Sequence, residues 1–254
     1  MGEMIIFGSQ ECVIDIRKYE KKVWDFADQI CSDQDYMNYM QHQRRADRWK
    51  VKQNIIDSKL PECAVNEFLI SHGCPDLPTN PDFKVYGKKE KSWDPDLKYN
   101  FSAPWNLTYS LDRSIVGTGT QLDVAVKSCT KETADKYGAS FVFNIGTDSK
   151  PNTIEGAVSG KKHSGCDDLF ISGKDSDVIA FVLFDRVKME CELRGFASWV
   201  SLKNDYKNAF GTMRLPKFRT IKTAVYDTYL QDVRKKSCEY SKMNSFFASC
   251  GVQV

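Results

Sequence analysis

The sequence predicts an α/β fold, a mixed β-sheet flanked by helices, and three observations carry that expectation. Residues 9–60 contain neither Gly nor Pro and place apolar side chains at helical spacing. After Gly73 the texture changes to short β-like runs punctuated by Pro, Gly and Asn. Within that region residues 178–184, VIAFVLF, are apolar on both faces and read as a central strand covered on both sides.

The elements follow in order. Ile16, Tyr19, Val23, Phe26 and Ile30 form the stripe of a first amphipathic helix. Ser32 with Asp35 has the pattern of an N-cap. It predicts a second helix through Tyr36 and Met40 to Trp49, carrying Arg44, Arg45, Arg48, Lys50 and Lys52. Ser58 and Pro61 open a third, PECAVNEFLISHG, because Pro suits a helix's first turn and Gly73 its end. Strands are expected at 82–86, 93–101, 121–128, 139–145, 178–184 and 189–199, with a loop over 146–166 and a closing helix over 221–236. Residues 1–57 thus read as a helical N-terminal extension and 58–254 as the α/β core. The stretch QLDVAVKS alternates: Leu122, Val124 and Val126 face one way, and Gln121, Asp123, Ala125 and Lys127 the other.

With 254 residues, 41% of them hydrophobic, the chain can bury a core. Its 36 basic and 34 acidic residues leave a net charge of +2, so only local patches can favour a polyanion. No run of eighteen apolar residues predicts a transmembrane helix, and the first residues lack the pattern of a signal peptide. Nine scattered cysteines without a CxxC are expected to be reduced thiols of a cytoplasmic protein. His72-x-Cys74 with His163-x-x-Cys166 offers four zinc-type ligands, in neither case at the usual structural spacing.

No GxSxG elbow, P-loop, GxGxxG or HExxH is present, and three histidines leave little room for a His-based triad. What remains is the ordered set Glu62, Asp96 and Lys127. Carboxylates converging at a sheet edge can hold Mg²⁺, and such a metal activates water and stabilises charge on a phosphodiester. A neighbouring lysine can orient that water or stabilise the developing charge. Each residue has a plainer reading as well. Glu62 suits a helix's first turn, Asp96 a strand start, and Lys127 a strand end reaching solvent.

The order PECAVNEFL, WDPDLKY, LDVAVKS, SFVFN, DDLF resembles the restriction-endonuclease-like nucleases with the PD-(D/E)XK signature, over roughly residues 58–230. The resemblance implies a helix glutamate at Glu62, with Glu67 in reserve. It places the PD at Pro95-Asp96 and the signature lysine at Lys127. The residue two before the lysine departs from the pattern: it is Ala125, where an acid is expected. Asp94 then joins Asp96 and Glu62 as a metal ligand, and Asp123 completes the catalytic set less directly, being farther along the strand. The implied function is a Mg²⁺-dependent DNA endonuclease, with Mn²⁺ as substitute and a restriction-type specificity. It acts on double-stranded DNA, as a homodimer. The departure equally fits a nuclease-like DNA- or protein-binding module without catalysis. Arg44, Arg45, Arg48, Lys88, Lys89, Lys161 and Lys162 are the candidate DNA contacts.

Overall fold

A computed structural model of the chain describes residues 3–7, 13–34, 37–38, 47–86, 95–109, 114–137 and 177–198. Six strands form one mixed sheet: β1 (Glu3–Phe7), β2 (Val13–Asp15), β3 (Leu97–Tyr109), β4 (Ser114–Thr130), β5 (Val178–Asp185) and β6 (Glu190–Ser198). Their order is β1-β3-β4-β5-β6-β2. The helices are α1 (Glu20–Ser32), α2 (Arg48–Ser71) and α3 (Lys131–Tyr137).

The centre of the sheet follows the sequence pattern. Strand β4 pairs antiparallel with β3 and parallel with β5, and β5 pairs antiparallel with β6. Residues 178–184 of β5 are buried without interruption, as expected of a strand covered on both faces. Leu97, Tyr99, Leu122, Val124, Val178 and Ala180 meet Val23, Leu60, Ala64 and Phe68 in one core, so α1 and α2 cover that face. The alternation of QLDVAVKS therefore puts Asp123, Ala125 and Lys127 on the opposite face.

Three expectations are corrected. Residues 1–57 are not purely helical. Strand β1 pairs parallel with β3, and β2 pairs antiparallel with β6, so this segment supplies both edges of the sheet. Each strand is short, and the apolar stripe that follows dominates the sequence pattern. Residues 82–86 form no strand. Here Asp82 instead accepts bonds from the Lys84 backbone and the Tyr86 hydroxyl, a local side-chain arrangement that competes with a ladder.

The helix boundaries also differ. Helix α1 stops at Ser32, and α2 starts at Arg48, where the Asp47 carboxylate accepts from the Lys50 backbone N–H at 2.7 Å. Pro61 does not open a helix but lies in the middle of α2. A proline lacks the N–H that would bond the carbonyl four residues earlier. That carbonyl belongs to Asp57, and the Ser128 hydroxyl donates to it at 3.2 Å. The helix end is as expected. Gly73 has φ +102, the Cys74 N–H reaches the Leu69 carbonyl at 2.9 Å, and the Gly73 N–H reaches Ile70 at 3.1 Å.

Candidate active site

The site is built at the end of the β3–β4 hairpin. Leu97 pairs with Val124, and one residue earlier the β3 ladder ends. There the Asp96 carboxylate accepts the Val126 backbone N–H at 2.7 Å. The side chain takes the part of a strand carbonyl, which keeps an otherwise orphaned β4 donor satisfied. Asp96 is thus held against the residue that precedes Lys127. Lys127 is half-buried and stands opposite Phe181 on β5. Ala125 is only 8% exposed and pairs with Ile179, so that position contributes packing and no donor atom.

Glu62 lies on α2, behind the face of β4 that carries Val124 and Val126. Its carboxylate is buried and forms an ion pair with Lys59, one helical turn earlier. Lys59 Nζ also donates to the Asp82 carbonyl at 2.9 Å. The rings of Phe26 and Phe83 lie 5.6 and 5.7 Å from it, within cation–π range. Burial by itself would lower the pKa of this ammonium. The attraction and hydrogen bond of Glu62, with a further pull from the Asp96 carboxylate, outweigh burial and hold it above the ordinary lysine value. Lys59 therefore senses both carboxylates of the candidate site. The sequence reading passed over it, although its i,i+3 spacing from Glu62 on one helix was a legible signal.

Asp123 stands apart from this group. It faces Lys98 across the hairpin and accepts from the Gln121 amide at 3.0 Å. Its backbone N–H donates to the Asp177 carboxylate at 2.9 Å, and its carbonyl accepts from the Asp177 N–H at 2.8 Å. These bonds join β4 to the start of β5. Burial and the neighbouring Asp123 charge push the Asp177 carboxyl upward, against the backbone bond that favours ionisation. Glu67, the reserve glutamate, pairs with Lys18 at 2.6 Å near a cleft of about 690 Å³ bounded by β2 and the end of α2.

Arg48 is exposed at the start of α2. Asp94, Arg44, Arg45, Lys88, Lys89, Lys161 and Lys162 lie outside the described residues, as do His163 and Cys166 of the zinc-type set. His72 directs Nδ1 to the Phe68 carbonyl at 2.8 Å and stacks on the Phe68 ring, and Cys74 is a buried free thiol. Among the described residues no three His, Cys, Asp or Glu side chains gather as a metal-binding group, and no helix is long and apolar enough to cross a membrane.

Asp96 and Glu62 provide hard oxygen donors of the type Mg²⁺ takes, usually one or two carboxylates completed by water and phosphate oxygens. The donor chemistry fits a divalent ion. Lys59 occupies one of the two carboxylates. No protein-family model, curated protein or solved structure matches the chain.

Proposed function

We propose that this chain is a restriction-endonuclease-like, Mg²⁺-dependent DNA endonuclease that also accepts Mn²⁺. The observation that carries the reading is the bond from Val126 N–H to the Asp96 carboxylate. It joins the Pro-Asp at the start of β3 to the backbone beside Lys127 on β4. The order of elements supports the same reading. A helix with Glu62 comes first, then an antiparallel hairpin with Asp96 and Lys127, then α3, then a strand parallel to β4.

Asp96 and Glu62 would hold the cation, with Asp94 as the third donor in place of the acid absent at Ala125. The ion, when bound, supplies Lewis-acid activation of water and charge stabilisation on the phosphodiester. Asp96 is oriented for this role by the β4 backbone, which fixes one carboxylate oxygen. Lys127 brings a positive charge to the same end of β4, suited to the oxyanion that develops at phosphorus. Arg48 and the basic residues before β3 and in the long loop would contact the DNA backbone, so binding should weaken with salt. Action as a homodimer in the cytoplasm belongs to this proposal.

The test is cleavage of a mixed DNA panel with Mg²⁺ or Mn²⁺, beside EDTA and two variants. Lys127→Ala and Asp96→Asn should each lower cleavage by about 100-fold or more. Metal-independent cutting, or full activity in both variants, would sink the proposal.

A second reading is a DNA- or protein-binding module without catalysis. It is favoured by Ala125, which stands packed where a carboxylate is expected. Salt-sensitive DNA binding without cleavage, and with no Mn²⁺-dependent rise in melting temperature, would select it.

A further inference from the structure

The ammonium of Lys59 has a place built from several elements. It bonds to Glu62 on its own helix and to the Asp82 carbonyl in the following segment, and it lies by the rings of Phe26 on α1 and Phe83. The two ionic side chains are nearly closed from water, Lys59 at 13% and Glu62 at 9% exposure. A buried carboxylate stripped of its partner carries a large penalty, so Glu62 keeps a cation at all times. An ammonium and a divalent ion cannot both sit closely against it without strong mutual repulsion. The Asp82 carbonyl and the two rings offer the ammonium a resting place that does not involve Glu62.

We propose that Lys59 is a positioning residue that serves as the resident counter-cation of Glu62, and that a divalent ion reaches Glu62 only when Lys59 withdraws toward Asp82 and the phenyl rings. The inference rests on the nuclease reading above and adds to it a built-in competitor. Its consequence is weak divalent binding in the free protein. The apparent affinity is the intrinsic affinity reduced by the fraction of molecules in which Glu62 is free.

The experiment is Mn²⁺ titration calorimetry on the full chain. It compares the wild type with Lys59→Met and Lys59→Gln, with folding of each checked by circular dichroism. Methionine retains an apolar stem beside the rings, and glutamine retains a donor for the Asp82 carbonyl. Either folded variant should bind Mn²⁺ about tenfold more tightly or better. The gain should vanish when Glu62→Gln is added. A purely structural ion pair gives no route to a gain in affinity. Equal or weaker Mn²⁺ binding in the folded variants, with wild-type binding and cleavage intact, overturns the role of Lys59 and leaves the nuclease reading standing. No Mn²⁺ binding and no cleavage in any of the proteins overturns both. Loss of the fold in both variants assigns Lys59 to structure alone and overturns the proposal as well.

Discussion

Gly117 stands opposite Leu107 in the β3–β4 ladder, and a Cβ added there would lie 2.9 Å from the Trp105 ring and 3.0 Å from Val178. Trp105 is fully buried and its indole N–H donates to the Gln121 carbonyl at 3.0 Å, so the ring has little freedom to move. Gly117→Ala should therefore destabilise the protein by about 1–3 kcal/mol, read as a lower urea midpoint at unchanged m-value. A second residue-scale expectation concerns Cys63. Burial pushes its thiol from 9.0 up to about 12. The folded state thus holds the proton more tightly than the unfolded state does. The stabilisation is fully present below pH 9 and is lost progressively as pH rises from about 9 to 12. Urea midpoints measured from pH 8 to 11 should fall above pH 9, and more gently in Cys63→Ala. The same burial should keep native Cys63 unreactive toward a thiol reagent at pH 8.

The element that organises the site is α2, and its interior proline ties it to β4. Pro61 leaves the Asp57 carbonyl without its helical donor, and Ser128, the residue after Lys127, supplies a hydroxyl. The Asp57 carboxylate meanwhile holds the Arg186 guanidinium of the β5–β6 turn, with its Oδ1 to Arg186 Nε at 2.9 Å. One residue thus links the helix to both neighbouring pieces of sheet. Ser128→Ala should cost about 1 kcal/mol in the wild type. It should cost clearly less in a Pro61→Ala background, where residue 61 regains its N–H. A double-mutant cycle by urea denaturation measures the difference, and strict additivity would remove the proposed link.

At the scale of the molecule, the first fifteen residues provide both edges of the sheet. Strand β1 covers β3 in a parallel pairing, which no hairpin could create. Removal of residues 1–9 should expose the β3 edge and promote self-association, detectable as a higher mass by light scattering. An unchanged monodisperse mass would mean that β1 is dispensable as a cover.

The local pattern of the chain alone determined much of the centre of this fold. Residues 178–184 announce a doubly covered strand because they are apolar at every position, and β5 is buried on both faces. The period of two in QLDVAVKS predicts which side of β4 faces the core, and Leu122 and Val124 are there. Gly73 predicts the end of α2 because a left-handed residue suits that cap. The edges were not legible, since β1 and β2 are too short to carry a period and gain their hydrogen bonds from strands far along the chain. The helix start was misread for a related reason: Pro61 looks like a first-turn residue until Ser128 takes up the Asp57 carbonyl. Glu62, Asp96 and Lys127 could be ordered from residue types alone. Only tertiary structure decided what each one meets: Asp96 a backbone N–H of β4, Glu62 the ammonium of Lys59. Spacing along a chain reports periodicity within one element. The charge that settles on a buried carboxylate depends on which elements close around it.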